Sequence, residues 1–309
     1  MRVRVRSLAK VNLDLRVLHK RPDGFHELRT IFQTISLADT IGMEYKRGRT
    51  RIDLNSNLNI PDNLILKAAD SVLKAARATG RLSFDLVKRI PLGGGLGGGS
   101  SNAAAVLLAL PVLLGKPLPF EKLLELAAEL GSDVPFFLTG GTAVGIGRGA
   151  EVYPIPDAPT RPGLLIAPGI HSSTAAAYQA LHRKVLAELP TDRINKFQAL
   201  AWDTDPQWIN DFETVVLRQH PQLESIKGKL LKLSAWRAMM TGSGSALFGL
   251  FPSREFRGRA AEWFRKEFSS YQVHPFAMVT RSRYQALWWR QLGVSPGNRT
   301  WPPQDRYAR

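Results

Sequence analysis

Residues 91–103 read Pro-Leu-Gly-Gly-Gly-Leu-Gly-Gly-Gly-Ser-Ser-Asn-Ala, and six of the seven from Gly93 to Gly99 are glycine. Each glycine costs backbone entropy, so a run this dense serves a conformation that side chains forbid. A loop wrapped around phosphate is such a conformation: bare N–H groups turn inward, and the positive end of a following helix adds to the attraction. The Ala-rich stretch Ala103 to Leu110 supplies the helix, with Ser100, Ser101 or Asn102 as its expected cap and Pro111 as its expected stop. Gly/Ser-rich sequence also makes flexible linkers. Here a strand-like segment, Leu82 to Val87, and the helix bound the run closely, which suits a tight connection better than a spacer. No Gly-Lys-Ser/Thr closes it, and its spacing is not that of the dinucleotide fingerprint.

Three other segments carry side chains that could do chemistry. Lys10 and Asn12 share the polar face of an alternating stretch from Lys10 to Leu18, with Asp14 and Arg16 after them. Alone, that face reads as an ordinary solvated one. Asp133 follows a helix stop at Gly131; alone, it reads as the cap of a short turn begun by Pro135. Thr241-Gly242-Ser243-Gly244-Ser245 is a second small-residue loop, of the kind many tight turns show.

The elements that must position these residues alternate along the chain. Strands are expected near 10–18, 28–37, 41–46, 50–54, 82–87, 142–147 and 151–155, with a turn at Arg21-Pro22-Asp23-Gly24. One helix starts near Asp62, with Leu64, Ile65, Ala68, Ala69, Val72, Leu73 and Ala76 on one face, and stops at Gly80; another covers Phe120 to Leu130. Four prolines between Pro154 and Pro162 mark a domain boundary. Beyond it come a strand at 163–167, helices near 173–188, 191–200, 207–219 and 221–233, a strand pair around the Thr241 loop, a helix at 254–268 and a strand at 272–280. This is a mixed α+β layer. The Pro-, Arg- and Gly-rich end, 291–309, reads as a mobile tail.

At 309 residues the chain is long enough for two domains with a substantial core. It has no cysteine, which excludes disulfides, thiol nucleophiles and thiolate metal sites and fits a reducing compartment. No apolar stretch is long enough to span a membrane, and the opening Met-Arg-Val-Arg-Val-Arg is not a signal peptide, so the cytoplasm is the expected location. Forty-two basic against 26 acidic residues leave a net charge of +16, which raises nucleic acid as a partner. The charge is spread along the chain, however, with only mild concentration at the ends and no aromatic-rich RNA-binding signature. Substrates that carry several phosphates suit it better.

Taken together, the segments resemble the GHMP kinases, and within them the members acting on 4-diphosphocytidyl-2-C-methyl-D-erythritol. The resemblance rests on Ala9-Lys10-Val11-Asn12-Leu13, Arg21-Pro22-Asp23-Gly24-Phe25-His26-Glu27-Leu28, Asp62-Asn63-Leu64-Ile65 and the glycine run. Ser132-Asp133-Val134-Pro135-Phe136-Phe137, Asn210-Asp211-Phe212-Glu213 and the Thr241 loop continue it, in the family's order. It implies a two-domain α+β fold. A ribosomal-protein-like N-terminal domain would span 1–158 and a ferredoxin-like C-terminal domain 159–290, with the active site in the cleft between them and 291–309 outside the match. It implies transfer of the γ-phosphoryl of ATP to the 2-hydroxyl of that substrate, in the non-mevalonate route to isoprenoid precursors.

By the same resemblance Lys10 and Asp133 are the catalytic pair. Pro91, Leu92, Gly93, Gly94, Gly95, Leu96, Gly97, Gly98, Gly99, Ser100 and Ser101 cradle the triphosphate, and Asn63 contacts adenine. Phe25 stacks on the cytosine, His26 hydrogen-bonds it, and Asn12 meets the substrate near the reacting hydroxyl. Magnesium comes with ATP; no motif supplies a dedicated ligand, although Ser100 or Ser101 could touch it. The protein is expected as a monomer or homodimer, without membrane or nucleic-acid partners. Another GHMP small-molecule kinase, or a basic RNA-binding protein on a related fold, are the alternatives.

Overall fold

The computed structural model describes residues 1–181, Phe197 and 207–303. β1 (Arg2–Lys20) and β2 (His26–Lys46) form one long antiparallel hairpin, paired from Arg2 opposite Glu44 to Lys20 opposite His26. Its tip turns through Arg21–Phe25, with Gly24 at φ +85°. The sequence suggested two strands where β2 runs unbroken, because nothing in Leu37-Ala38-Asp39-Thr40 compels a turn.

β3 (Arg51–Ser56), α1 (Leu64–Ala75), β4 (Arg81–Val87), α2 (Gly98–Leu114), α3 (Phe120–Leu130), α4 (Val134–Thr139), β5 (Thr142–Ile146) and β6 (Glu151–Pro154) complete the first unit. Its sheet has the order β3-β4-β2-β5-β6, with β1 along the other side of β2. α1 buries the stripe Ile65, Ala68, Ala69, Val72 and Leu73, and ends at Ala75 rather than at Gly80. α2 is apolar on every side and buried from Ser101 to Leu113, as such a helix must be. Leu107 and Leu110, both wholly buried, each contribute roughly 1.5–3 kcal/mol by leaving water. Pro111, expected to stop this helix, sits inside it. The missing N–H costs one bond to the preceding turn. The helix runs on to Leu114 and ends at Gly115, where the Lys116 N–H returns to the Pro111 carbonyl at 3.0 Å.

β7 (Pro162–Ala167), α5 (Thr174–Ala180), α6 (Glu213–Gln219), α7 (Pro221–Lys232), β8 (Arg237–Met240), β9 (Leu247–Leu250), α8 (Arg254–Glu267) and β10 (Gln272–Ala277) build the second unit. Its sheet is antiparallel in the order β10-β7-β9-β8, a ferredoxin-like arrangement. One face packs on α7 and α8 through Leu223, Ile226, Leu230, Ala260 and Phe264. The other presents Leu165, Met239, Phe248 and Phe276 to Ala9, Val11, Leu13 and Ile35 of the first sheet. We place the division between the units at residue 158. The expected helix at 173–188 is seen as α5, and its remainder, like the helix at 191–200, lies outside the described residues apart from Phe197. The helix expected at 207–219 is shorter, because Asn210 bridges to Leu15 before α6 begins.

Residues 281–303 correct the expected boundaries. α9 (Arg281–Leu292), assigned by the sequence to the second unit, packs into the first, and its continuation is no loose tail as far as residue 303. Tyr284, Trp288 and Leu292 recur every four residues and form one buried stripe, followed by buried Val294. Arg281, Arg283 and Arg290, set among these residues, had masked that stripe.

Candidate active site

The loop between β4 and α2 carries the glycine run. The N-cap of α2 is Gly97, at φ +64°, and no side chain caps the helix. The expected caps lie inside it instead. Ser101 donates its N–H to the Gly97 carbonyl at 2.8 Å and its hydroxyl to the Leu8 carbonyl at 2.6 Å. Asn102 accepts from the Ser7 hydroxyl at 2.5 Å. The helix therefore leaves the N–H groups of Gly98, Gly99 and Ser100 without an intrahelical acceptor. Ser101 has both donors engaged elsewhere and does not line the cavity, which leaves it no hydrogen to offer a phosphate there.

Two contacts set the position of this loop. A Cβ built at Gly95 (φ +72°) would collide with the carbonyl oxygen of Thr241, so only glycine lets the two small-residue loops touch. Lys88 Nζ meets Asp39 Oδ2 at 2.6 Å, and Asp39 Oδ1 accepts the N–H groups of Arg89 and Ile90 at 2.7 and 2.8 Å. Both side chains are buried, and burial pulls the Lys88 ammonium below its ordinary pKa against the pull of Asp39. Sequence reasoning singled out neither residue: they lie 49 positions apart in no shared motif.

Lys10 and Asn12 stand on β1 between two register shifts, one after Leu8 and one after Asn12. Their face is not solvated: the two residues are 3% and 2% exposed. Lys10 Nζ donates to Asn12 Oδ1 at 2.7 Å and lies 3.3 Å from Asp133 Oδ2. The Phe32 ring is 5.4 Å from it. Asn12 Oδ1 also accepts the Gly242 N–H at 3.0 Å, and Asn12 Nδ2 donates to Thr30 Oγ1 at 2.7 Å. Asp133 occupies the N-cap position of α4, yet its side chain makes no capping bond and is turned to Lys10. Asp14 is buried and does not line the cavity. It accepts from Arg16 Nε at 2.9 Å and from the Ile209 N–H at 3.0 Å, while burial pushes its carboxyl above the usual range.

These residues line one cavity of about 780 Å³ that also takes in Pro91 to Gly99. Its far end holds Phe25, His26, Arg148 and Tyr178. Phe25 is 52% exposed, with the Arg148 guanidinium 4.6 Å from its ring. His26 lies nearly parallel to Tyr178 at 4.8 Å, and Tyr178 packs edge-on to Phe212. Burial first, and then the charge of Asp133, push the Tyr178 hydroxyl up to about 12. No sequence signal marks Tyr178, a lone aromatic in the Ala-rich α5. Asn63 is not among the cavity residues. It caps α1 by accepting the Ile65 N–H at 3.0 Å and lines a separate groove with Asn55, Leu58 and Asn59. Among the described residues no three His, Asp or Glu side chains cluster as a metal site, and no helix is long and apolar enough to cross a membrane.

Comparison with known proteins adds to this geometry. The model of the GHMP kinases N terminal domain matches residues 63–141, and that of the GHMP kinases C terminal matches 186–269. A Solibacter usitatus protein named 4-diphosphocytidyl-2-C-methyl-D-erythritol kinase is 54% identical over 310 residues, covering 98% of this chain and 97% of the relative. A Geobacter metallireducens protein of the same name is 38% identical over 275 residues, 84% of this chain and 95% of the relative. A crystal structure of 4-(cytidine 5'-diphospho)-2C-methyl-D-erythritol kinase superposes with a TM-score of 0.74 at 35% identity, covering 89% of this chain and 98% of that one.

Proposed function

The chain belongs to the GHMP kinases, and from that membership and the two ends of its cavity we infer that it transfers the γ-phosphoryl of ATP to the 2-hydroxyl of 4-diphosphocytidyl-2-C-methyl-D-erythritol. The observation that carries this reading is the Lys10–Asp133 pair, 3.3 Å apart, placed between a glycine run and an aromatic end in one cavity.

Phosphoryl transfer through a loose transition state asks for alignment and for neutralisation of spreading charge. The free N–H groups at the start of α2 and the Lys10 ammonium supply fixed positive potential where that charge develops. Asp133 takes the proton of the hydroxyl as its oxygen bonds to phosphorus; the bond to the β-phosphate oxygen breaks and ADP leaves. Asn12, held by Lys10, Thr30 and Gly242, fixes the hydroxyl's approach. Phe25, His26 and Tyr178 hold the cytosine; their π-faces suit a pyrimidine. The groove of Asn63 takes the adenine, since Leu58 lines both it and the pocket beside Pro91–Gly94. Magnesium, which neutralises phosphate charge when bound with ATP, needs only one or two carboxylates besides phosphate oxygens and water. Asp133, the one carboxylate among the described residues lining the cavity, is engaged with Lys10, so magnesium would be held there through phosphate oxygens and water.

An ADP-release assay with the diphosphocytidyl substrate, methylerythritol phosphate and mevalonate tests the reading. Turnover of the first substrate alone is expected. Equal turnover of mevalonate would overturn the assignment and leave another GHMP kinase activity in its place.

A further inference from the structure

α4 is six residues long and ties three parts of the molecule together. Asp133 stands at its start. The Phe137 ring closes on Gly97, where a Cβ would come within 2.9 Å of it. Its last carbonyls, which no helix satisfies by itself, receive donors from the far end of the chain. The Tyr284 hydroxyl donates to the Phe137 carbonyl at 2.5 Å and Trp301 Nε1 to the Leu138 carbonyl at 2.9 Å, across 147 and 163 residues of sequence. Gly140 ends α4 at φ +63°, and a Cβ there would collide with the Tyr284 ring. Arg281 fastens the same region, donating its guanidinium to the Ile155 carbonyl and its N–H to the Asp157 carboxylate at 2.9 Å. Trp301 in turn packs between the rings of Tyr284 and Trp289, each 6.2 Å away.

We propose that residues 281–303 are a positioning element for phosphoryl transfer, holding α4 so that Asp133 stays at Lys10 and Phe137 stays under the glycine run. Tyr284 and Trp301 are its positioning residues, and neither lines the cavity. So short a helix has little stability of its own, and its place depends on what binds its ends. A displacement of the reacting groups by ~1 Å can cost about 10²-fold in rate. The inference rests on the role given above to Asp133.

The test is steady-state kinetics on the full chain. Tyr284→Phe removes the hydroxyl and keeps the ring; Trp301→Phe removes the indole N–H. The double variant should lose roughly tenfold in kcat, with KM for the cytidylyl substrate nearly unchanged and KM for ATP raised as Phe137 shifts from the glycine run. Placed in an Asp133→Asn background, the same two changes should alter kcat by less than about twofold, because the group they position has gone. Equal losses in both backgrounds, or no loss with Asp133 present, overturn the proposal. A fully active Asp133→Asn overturns the role of Asp133 and this inference with it. Should Tyr284→Phe fail to fold, Trp301→Phe, on a half-buried ring, carries the same comparison alone.

Discussion

Asp133 begins α4 without capping it, and its carboxylate instead stands 3.3 Å from Lys10 Nζ. A side chain in a capping position that makes no capping bond is held for something other than helix stability. Asp133→Asn therefore forfeits no cap but leaves the buried Lys10 ammonium without its counter-charge; the variant should fold and melt somewhat earlier, while kcat falls by about 10²–10⁴-fold, the usual weight of a positioned acid or base. Lys10→Ala should lose comparable activity through the missing positive charge. Wild-type turnover in either variant refutes the mechanism.

Tyr178 and Phe25 face the same end of the cavity from different units of the fold. Stacking on a base is worth about 1–3 kcal/mol per aromatic. Tyr178→Ala and Phe25→Ala should each raise KM for the cytidylyl substrate severalfold or more, with KM for ATP unmoved. Tyr178→Phe keeps the ring and should keep the affinity. An unchanged KM in the alanine variants removes the stacking role.

A Cβ added at Gly95 would meet the Thr241 carbonyl, and one added at Gly115 would meet nothing, although both have positive φ. Gly95→Ala must push the two loops apart and should raise KM for ATP at least tenfold, a loss of about 1.4 kcal/mol in affinity. Gly115→Ala adds only backbone strain, about 1–2 kcal/mol of stability, and should bind ATP normally. Nucleotide titrations of the two variants side by side distinguish contact from strain.

Asp14 has its carboxyl pKa raised from 3.8 by burial, with Asp211 adding to the effect and Arg16 and the Ile209 N–H opposing it. A raised folded value means that the native state prefers the protonated form. The stability tied to that preference is complete below the unfolded value and lost as pH climbs through the folded one. Comparing the melting of wild type and Asp14→Asn from pH 3.8 to neutrality should show the balance moving toward the Asn variant as pH rises. A difference that stays flat across that window contradicts the burial argument.

Much of this was legible in the residues. Glycine density marked out the loop that lines the cavity because few other residues tolerate such φ values, and the alternation at 10–18 placed Lys10 and Asn12 on one strand face. That the face is buried could not be read, because its cover, the Thr241 loop, lies some 230 residues away. Tyr178 and the Lys88–Asp39 pair escaped for a related reason: their partners are near in space and remote in sequence. The start of the tail at 291 was misjudged because composition counted the arginines and prolines beyond it, while the four-residue spacing of Tyr284, Trp288 and Leu292 carries one packing face across that boundary.

Asn12 Oδ1 accepts at once from Lys10, its neighbour on the strand, and from the Gly242 N–H, 230 residues further along. One oxygen thus belongs to both ends of the polypeptide. During synthesis the glycine run, Lys10 and Asp133 all leave the ribosome long before Gly242 does. Until then the nascent chain holds the parts of a phosphate site without the contact that fixes Asn12. The geometry around Asn12 is therefore complete only where the second sheet has closed on the first.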